Sequence, residues 1–116
     1  MMLGDCYWIS QMGGCAEFPS LIKTALLTQT KNSASIYAVN FFIRGKPWTI
    51  AVDDYLLMYN QYGISYKTTY PLKNVPTFAQ PSPDKTAIWG PVFEKAWAKV
   101  KGNYLIAEGG YNQESI

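Results

Sequence analysis

Apolar and polar positions along this 116-residue chain change period several times, and each change marks an element. Residues 6–16 are apolar or small on nearly every face, the pattern of a helix covered on all sides. Gly13 and Gly14 cost that helix about 1 kcal/mol each relative to alanine, so a close backbone neighbour is expected there. Pro19 suits a helix start. Leu21, Ile22, Ala25 and Leu26 then repeat at three-to-four spacing, which predicts a short amphipathic helix ending in the polar run 28–33. Residues 36–43 and 48–52 are rich in β-branched and aromatic side chains and flank Arg44-Gly45-Lys46-Pro47, so they predict a hairpin. A third strand or extended segment is expected within 56–66.

Pro71, Pro76, Pro81 and Pro83 predict a long irregular surface loop. From Pro91, well placed at a first helical position, Val92, Phe93, Ala96, Trp97 and Val100 form one apolar stripe. Lys99 and Lys101 close its last turn and Gly102 stops it. The stripe reads as core packing. These elements predict an α+β fold with a buried central helix, a small antiparallel sheet and a C-terminal helix. Neither an internal repeat nor a low-complexity tract is present.

Composition adjusts that picture. A chain of this length makes one small domain, or part of a larger one, burying roughly two-thirds of its unfolded surface. Hydrophobic residues make up 48% and aromatics 16%, which excludes disorder. Charged residues are 16% against the usual quarter, so some apolar surface is expected to face a partner or a further part of the molecule. A net charge of +2 with scattered basic residues leaves no footprint for nucleic acid. No apolar run approaches the ~18 residues of a membrane helix, and the apolar stretch 1–16 lacks a basic leader and carries Asp5, unlike a signal peptide.

Candidate chemistry is sparse. The chain has no histidine, which excludes a histidine-dependent metal or acid–base site built from these residues alone. Asp53 and Asp54 could be imagined on a metal, but adjacent strand residues point to opposite faces, so turn and hydrogen-bonding roles are expected. On a regular helix Cys6 and Cys15 lie about 13.5 Å apart along the axis on opposite faces, too far for a disulfide. They are expected to stay reduced, in keeping with an intracellular, cytoplasmic protein.

Leu3-Gly4-Asp5-Cys6-Tyr7-Trp8 is the stretch with most chemical promise. Gly4 can turn tightly, Asp5 can cap a helix by accepting from its free N–H groups, and Cys6 then lies in the first turn. A helix N-terminus favours thiolate, the nucleophilic form. By itself a lone cysteine is more often a small buried apolar side chain than a nucleophile.

Three stretches together resemble the first half of a calpain protease core: Leu3-Gly4-Asp5-Cys6-Tyr7; then Trp48-Thr49-Ile50-Ala51-Val52-Asp53-Asp54-Tyr55-Leu56; then Trp89 with Phe93-Glu94-Lys95-Ala96-Trp97-Ala98-Lys99-Val100-Lys101-Gly102-Asn103-Tyr104 and Gly109-Gly110. Their order and spacing match across nearly the whole of 1–116. The resemblance implies a papain-like half-core and a cysteine endopeptidase acting on protein substrates. In such enzymes the cysteine attacks a peptide carbonyl, a histidine takes its proton and an asparagine orients the histidine. Cys6 inherits the nucleophile role, and its backbone N–H one place in the oxyanion hole. Tyr7 matches the aromatic of the interlobe cleft. Gly109 and Gly110 match the turn that hydrogen-bonds substrate backbone, although they also read as a plain helix-exit loop.

The departures from the family set further expectations. The glutamine that completes the oxyanion hole falls just before Met1, and losing such a donor costs ~10²- to 10³-fold in rate. The histidine and asparagine belong to a second lobe beyond Ile116, the expected partner. Residues 1–116 alone are therefore expected to be inactive. The family's calcium site uses residues upstream of the cysteine and a glutamate at the position of Ala87, so no metal or other cofactor is expected. A catalytically dead calpain-like module, kept as a binding or scaffold domain in a larger assembly, is the alternative.

Overall fold

The structure is a computed structural model that describes residues 4–65, 68–76, 78–79, 82 and 87–111. It is the expected α+β arrangement, with three helices and two antiparallel hairpins among the described residues: α1 (Cys6–Ala16), α2 (Pro19–Ala25), β1 (Ile36–Ile43), β2 (Lys46–Asp53), β3 (Met58–Ser65), β4 (Thr68–Pro76) and α3 (Trp89–Lys101). Pro81, Pro83 and Leu3 lie outside the described residues.

β1 and β2 pair from Ile36 opposite Asp53 to Ile43 opposite Lys46. The connection is shorter than the sequence predicts. Arg44 and Gly45 both take positive φ, 51° and 75°, which is the geometry of a two-residue hairpin turn that follows the strand twist. Lys46 and Pro47 therefore join β2. Tyr37, Val39 and Val52 are buried on one face of the ladder, as the two-residue period requires.

α3 lies across this face. Its buried set is Pro91, Val92, Phe93, Glu94, Ala96, Trp97 and Ala98, a wider face than the predicted stripe and one that includes an acid. Trp97 stacks on Trp8 of α1 with ring centroids 4.4 Å apart, and Phe41 meets both rings edge-on at 5.8 and 6.0 Å. Each such ring contributes roughly 1.5–3 kcal/mol by burial, and a well-set aromatic pair about 0.5–1.5 kcal/mol more. Lys99 Nζ donates to the Ala51 carbonyl at 2.7 Å. Lys95 forms an ion pair with Asp53, whose carboxylate also accepts the Tyr55 N–H at 2.9 Å. Asp53 thus fixes the exit from β2 and its carboxyl is held below the usual range, chiefly by Lys95.

Three expectations are corrected. α1 is covered on one side only: Tyr7 and Trp8 are buried, while Cys6, Ser10, Gly13 and Gly14 face outward. An apolar pattern with many small residues does not require cover, because Ala, Gly, Ser and Cys present little apolar area. Nothing lies within 4 Å of a methyl built on Gly13 or Gly14, so these glycines accommodate no neighbour. Residues 71–76 of the predicted loop are instead strand. β3 and β4 form a second hairpin with Pro71 opposite Tyr62, next to a register irregularity between Asn60 and Tyr62. A two-stranded ladder has two free edges, where a proline N needs no donor partner.

Several large apolar side chains remain exposed, among them Phe42 and Trp48 on the first hairpin and Leu105, Ile106 and Tyr111 after α3. This is the apolar surface that the low charge content predicts.

Candidate active site

α1 starts at Cys6 because the Asp5 carbonyl accepts the N–H groups of Trp8 and Ile9, at 2.9 and 3.1 Å. Its side chain does something else. Asp5 was expected to cap the helix, yet it makes no side-chain cap bond and turns inward to 1% exposure. The first turn therefore keeps N–H groups without intrahelical acceptors, beside the exposed thiol of Cys6. Cys15, the other cysteine, is also free and lies near the far end of the same helix.

The segment after α3 closes on this first turn. Gly109, at φ +75°, donates its N–H to the Gly4 carbonyl at 2.8 Å. Gly4 N–H donates to Glu108 Oε1 at 3.3 Å. The Tyr7 hydroxyl donates to the Ala107 carbonyl at 3.0 Å and accepts the Trp97 indole N–H at 3.0 Å. A left-handed φ at Gly109 is open to few other residues, and a methyl on Gly110 would lie 2.7 Å from Tyr7 Cζ. Both glycines are thus required by the geometry that brings the turn beside Cys6.

Gly4, Tyr7, Gly109 and Gly110 are therefore brought together, on either side of Cys6 in the sequence. Cys6 is exposed; Gly109 bonds to Gly4, two residues before it, and Gly110 lies against Tyr7, the residue after it; Tyr7 is buried and fastens the turn through its hydroxyl. Sequence reasoning missed Glu108 and Glu94. Glu94 lies 4% exposed among the buried residues of α3, its Oε2 accepting the Ala79 N–H at 2.8 Å. The i, i+3, i+7 spacing of Pro91, Glu94 and Ala98 was the available signal that an acid shares the inner face. Burial, and next the Asp5 carboxyl, push Glu94 up to about 8.

Ala87 lines a pocket of about 350 Å³ with Trp8, Met12, Trp89 and Glu94. Its N–H donates to Ser82 Oγ at 3.0 Å and its carbonyl accepts the Ser82 N–H at 3.0 Å. Calcium takes six to eight oxygens at closely matched distances. Ala87 brings no side-chain oxygen and its carbonyl is engaged by the Ser82 N–H, so this position supplies no carboxylate to the ion. No group of three or more metal-ligating acids, cysteines or histidines occurs among the described residues. No helix among them is long and apolar enough to cross a membrane.

A half-core of this shape, with a thiol heading one helix and a glycine turn fastened beside it, matches the model of the calpain family cysteine proteases over residues 1–116. The chain belongs to that family. It is 32% identical over 114 residues to the calpain-type cysteine protease DEK1 of Zea mays and likewise to the calpain-type cysteine protease ADL1 of Oryza sativa subsp. japonica, covering 98% of this chain and 5% of each relative. Calpain clp-4 of Caenorhabditis elegans is 27% identical over 117 residues, covering 98% of this chain and 14% of the relative. The chain thus spans a small fraction of the length of these relatives.

Proposed function

We propose that residues 1–116 act as the nucleophile lobe of a calpain-type cysteine endopeptidase cutting protein substrates. Cys6 Sγ attacks the scissile carbonyl carbon; its proton passes to a histidine of a second lobe, which an asparagine orients, and on to the leaving amine as the C–N bond breaks, after which water hydrolyses the thioester and restores the thiol. The Cys6 N–H, at the open end of α1, is one donor to the oxyanion. Gly109 and Gly110 present main-chain groups to an extended substrate, as an added strand would. The supporting observation is the exposed Cys6 thiol beside a turn held by the Gly109 to Gly4 hydrogen bond.

Exposed Leu105, Ile106 and Tyr111 around that turn favour a covering second lobe. The lobe works without a resident calcium ion, in line with the occupied main-chain groups of Ala87. Turnover of a fluorogenic peptide tests the reading. Residues 1–116 alone should show none, while the protein isolated from its natural source should cleave the peptide and lose cleavage on Cys6→Ser. Absence of cleavage by the natural protein would make this a calpain-like binding or scaffold module.

A further inference from the structure

The carboxyl groups of Asp5, the residue before Cys6, and of Glu94 on α3 are buried together. Asp5 is 1% exposed and Glu94 4%, and their side chains are within hydrogen-bonding reach of each other. Of their four oxygens, Glu94 Oε2 has the Ala79 N–H. Both Asp5 oxygens and Glu94 Oε1 have no donor. Two carboxylates can only accept, so a fully ionised pair would leave two touching negative charges out of water with three unfilled acceptors. A single proton resolves this, because a neutral carboxyl donates to its ionised neighbour and removes one charge.

We propose that Glu94 is neutral and donates its carboxyl O–H to an Asp5 oxygen, and that this bond ties the first turn of α1, and with it Cys6, to α3. Glu94 is then a positioning residue for the thiol. Its elevation to about 8, caused first by burial and then by Asp5, keeps Glu94 protonated at neutral pH. The neighbouring groups reinforce this. Tyr104, after α3, is itself pushed up to about 12 by burial and then by Glu94, Asp5 and Asp53. Lys95 turns to Asp53, and Glu108 turns to the Gly4 N–H. The proposal concerns a proton in the folded chain and stands whether or not peptides are cleaved.

The pH dependence has a definite sign. The folded carboxyl lies at about 8 against 4.5 for the free group. The stability that this proton supplies is complete below about 4.5, is lost as pH rises toward about 8, and changes no further above that. Glu94→Gln keeps a donor toward Asp5 through its amide and removes the titration.

Infrared difference spectra of the unaltered protein should show a neutral-carboxyl C=O band at about pH 7 that fades above about pH 9. Absence of that band, as for a pair ionised around a cation, overturns the proposal without any variant. Thermal midpoints should fall between about pH 5 and 8 in the wild type and fall less in Glu94→Gln and in Asp5→Asn; parallel slopes overturn it. The positioning claim is read in a Cys15→Ser background from the rate of Cys6 alkylation by iodoacetamide. Glu94→Ala should change that rate about fivefold or more, and Glu94→Gln should restore it to within about twofold. Equal rates in all three proteins would refute positioning.

Discussion

The two ends of α1 each carry a cysteine, and they differ in nearly everything else. At Cys6 the helix is tied down by the Asp5 carbonyl, by the Tyr7 hydroxyl between Ala107 and Trp97, and by the Gly109 to Gly4 bond. At Cys15 the helix runs out through Gly13 and Gly14, around which a side chain would find open space. Cys15 lines an apolar groove with Leu21, Ile22 and Phe41. A thiol becomes chemically useful through what is fixed around it, and the bonds to α3 and the turn after it lie at the first end.

The sharpest contrast between these ends is kinetic. In the natural protein Cys6→Ser should lower peptide turnover by up to about 10⁶-fold, whereas Cys15→Ser should leave it within about twofold. Comparable losses from both would break the comparison.

Removing the fastening at the first end comes next. Tyr7→Phe leaves the Ala107 carbonyl and the Trp97 indole N–H buried without their partner, costing about 1–3 kcal/mol for each orphaned group in denaturant unfolding. A change below about 0.5 kcal/mol would mean that water or a neighbour replaces the hydroxyl.

Smaller effects come from alanine at the glycines, and they should have opposite signs. A methyl at Gly110 meets the Tyr7 ring at 2.7 Å, so Gly110→Ala should destabilise by about 1–3 kcal/mol as the turn is displaced. Gly14→Ala enters open space on a helix and should stabilise by about 1 kcal/mol. Thermal midpoints moving in the same direction would contradict the contrast.

The parts of this structure legible in the sequence are those set by near neighbours. Cys6, Pro19 and the α3 stripe carry local helix signals, and the alternation of Tyr37, Val39 and Phe41 against Ile50 and Val52 marks the first hairpin. Pro71 and Pro76 misled because proline is read as a breaker, while an edge strand accepts it. Asp5 misled for a different reason. Its residue type and position fit a cap, but the side chain is buried against residues of other elements, and no local pattern reports that.

The candidate site shows the same division. Cys6, Gly109 and Gly110 were readable through the calpain resemblance. The bonds that assemble them, such as Tyr7 to Ala107 across 100 residues of chain, arise only when α1 and α3 stack their tryptophans.

If Cys6 is the nucleophile, covalent labelling reports it without a need for turnover. The natural protein would be treated with a limiting amount of a cysteine-directed peptidyl electrophile and mapped by mass spectrometry. The account predicts an adduct on Cys6, formed much faster than any on Cys15 and prevented by an excess of peptide substrate. Equal labelling of the two cysteines, or labelling of Cys15 alone, would contradict it.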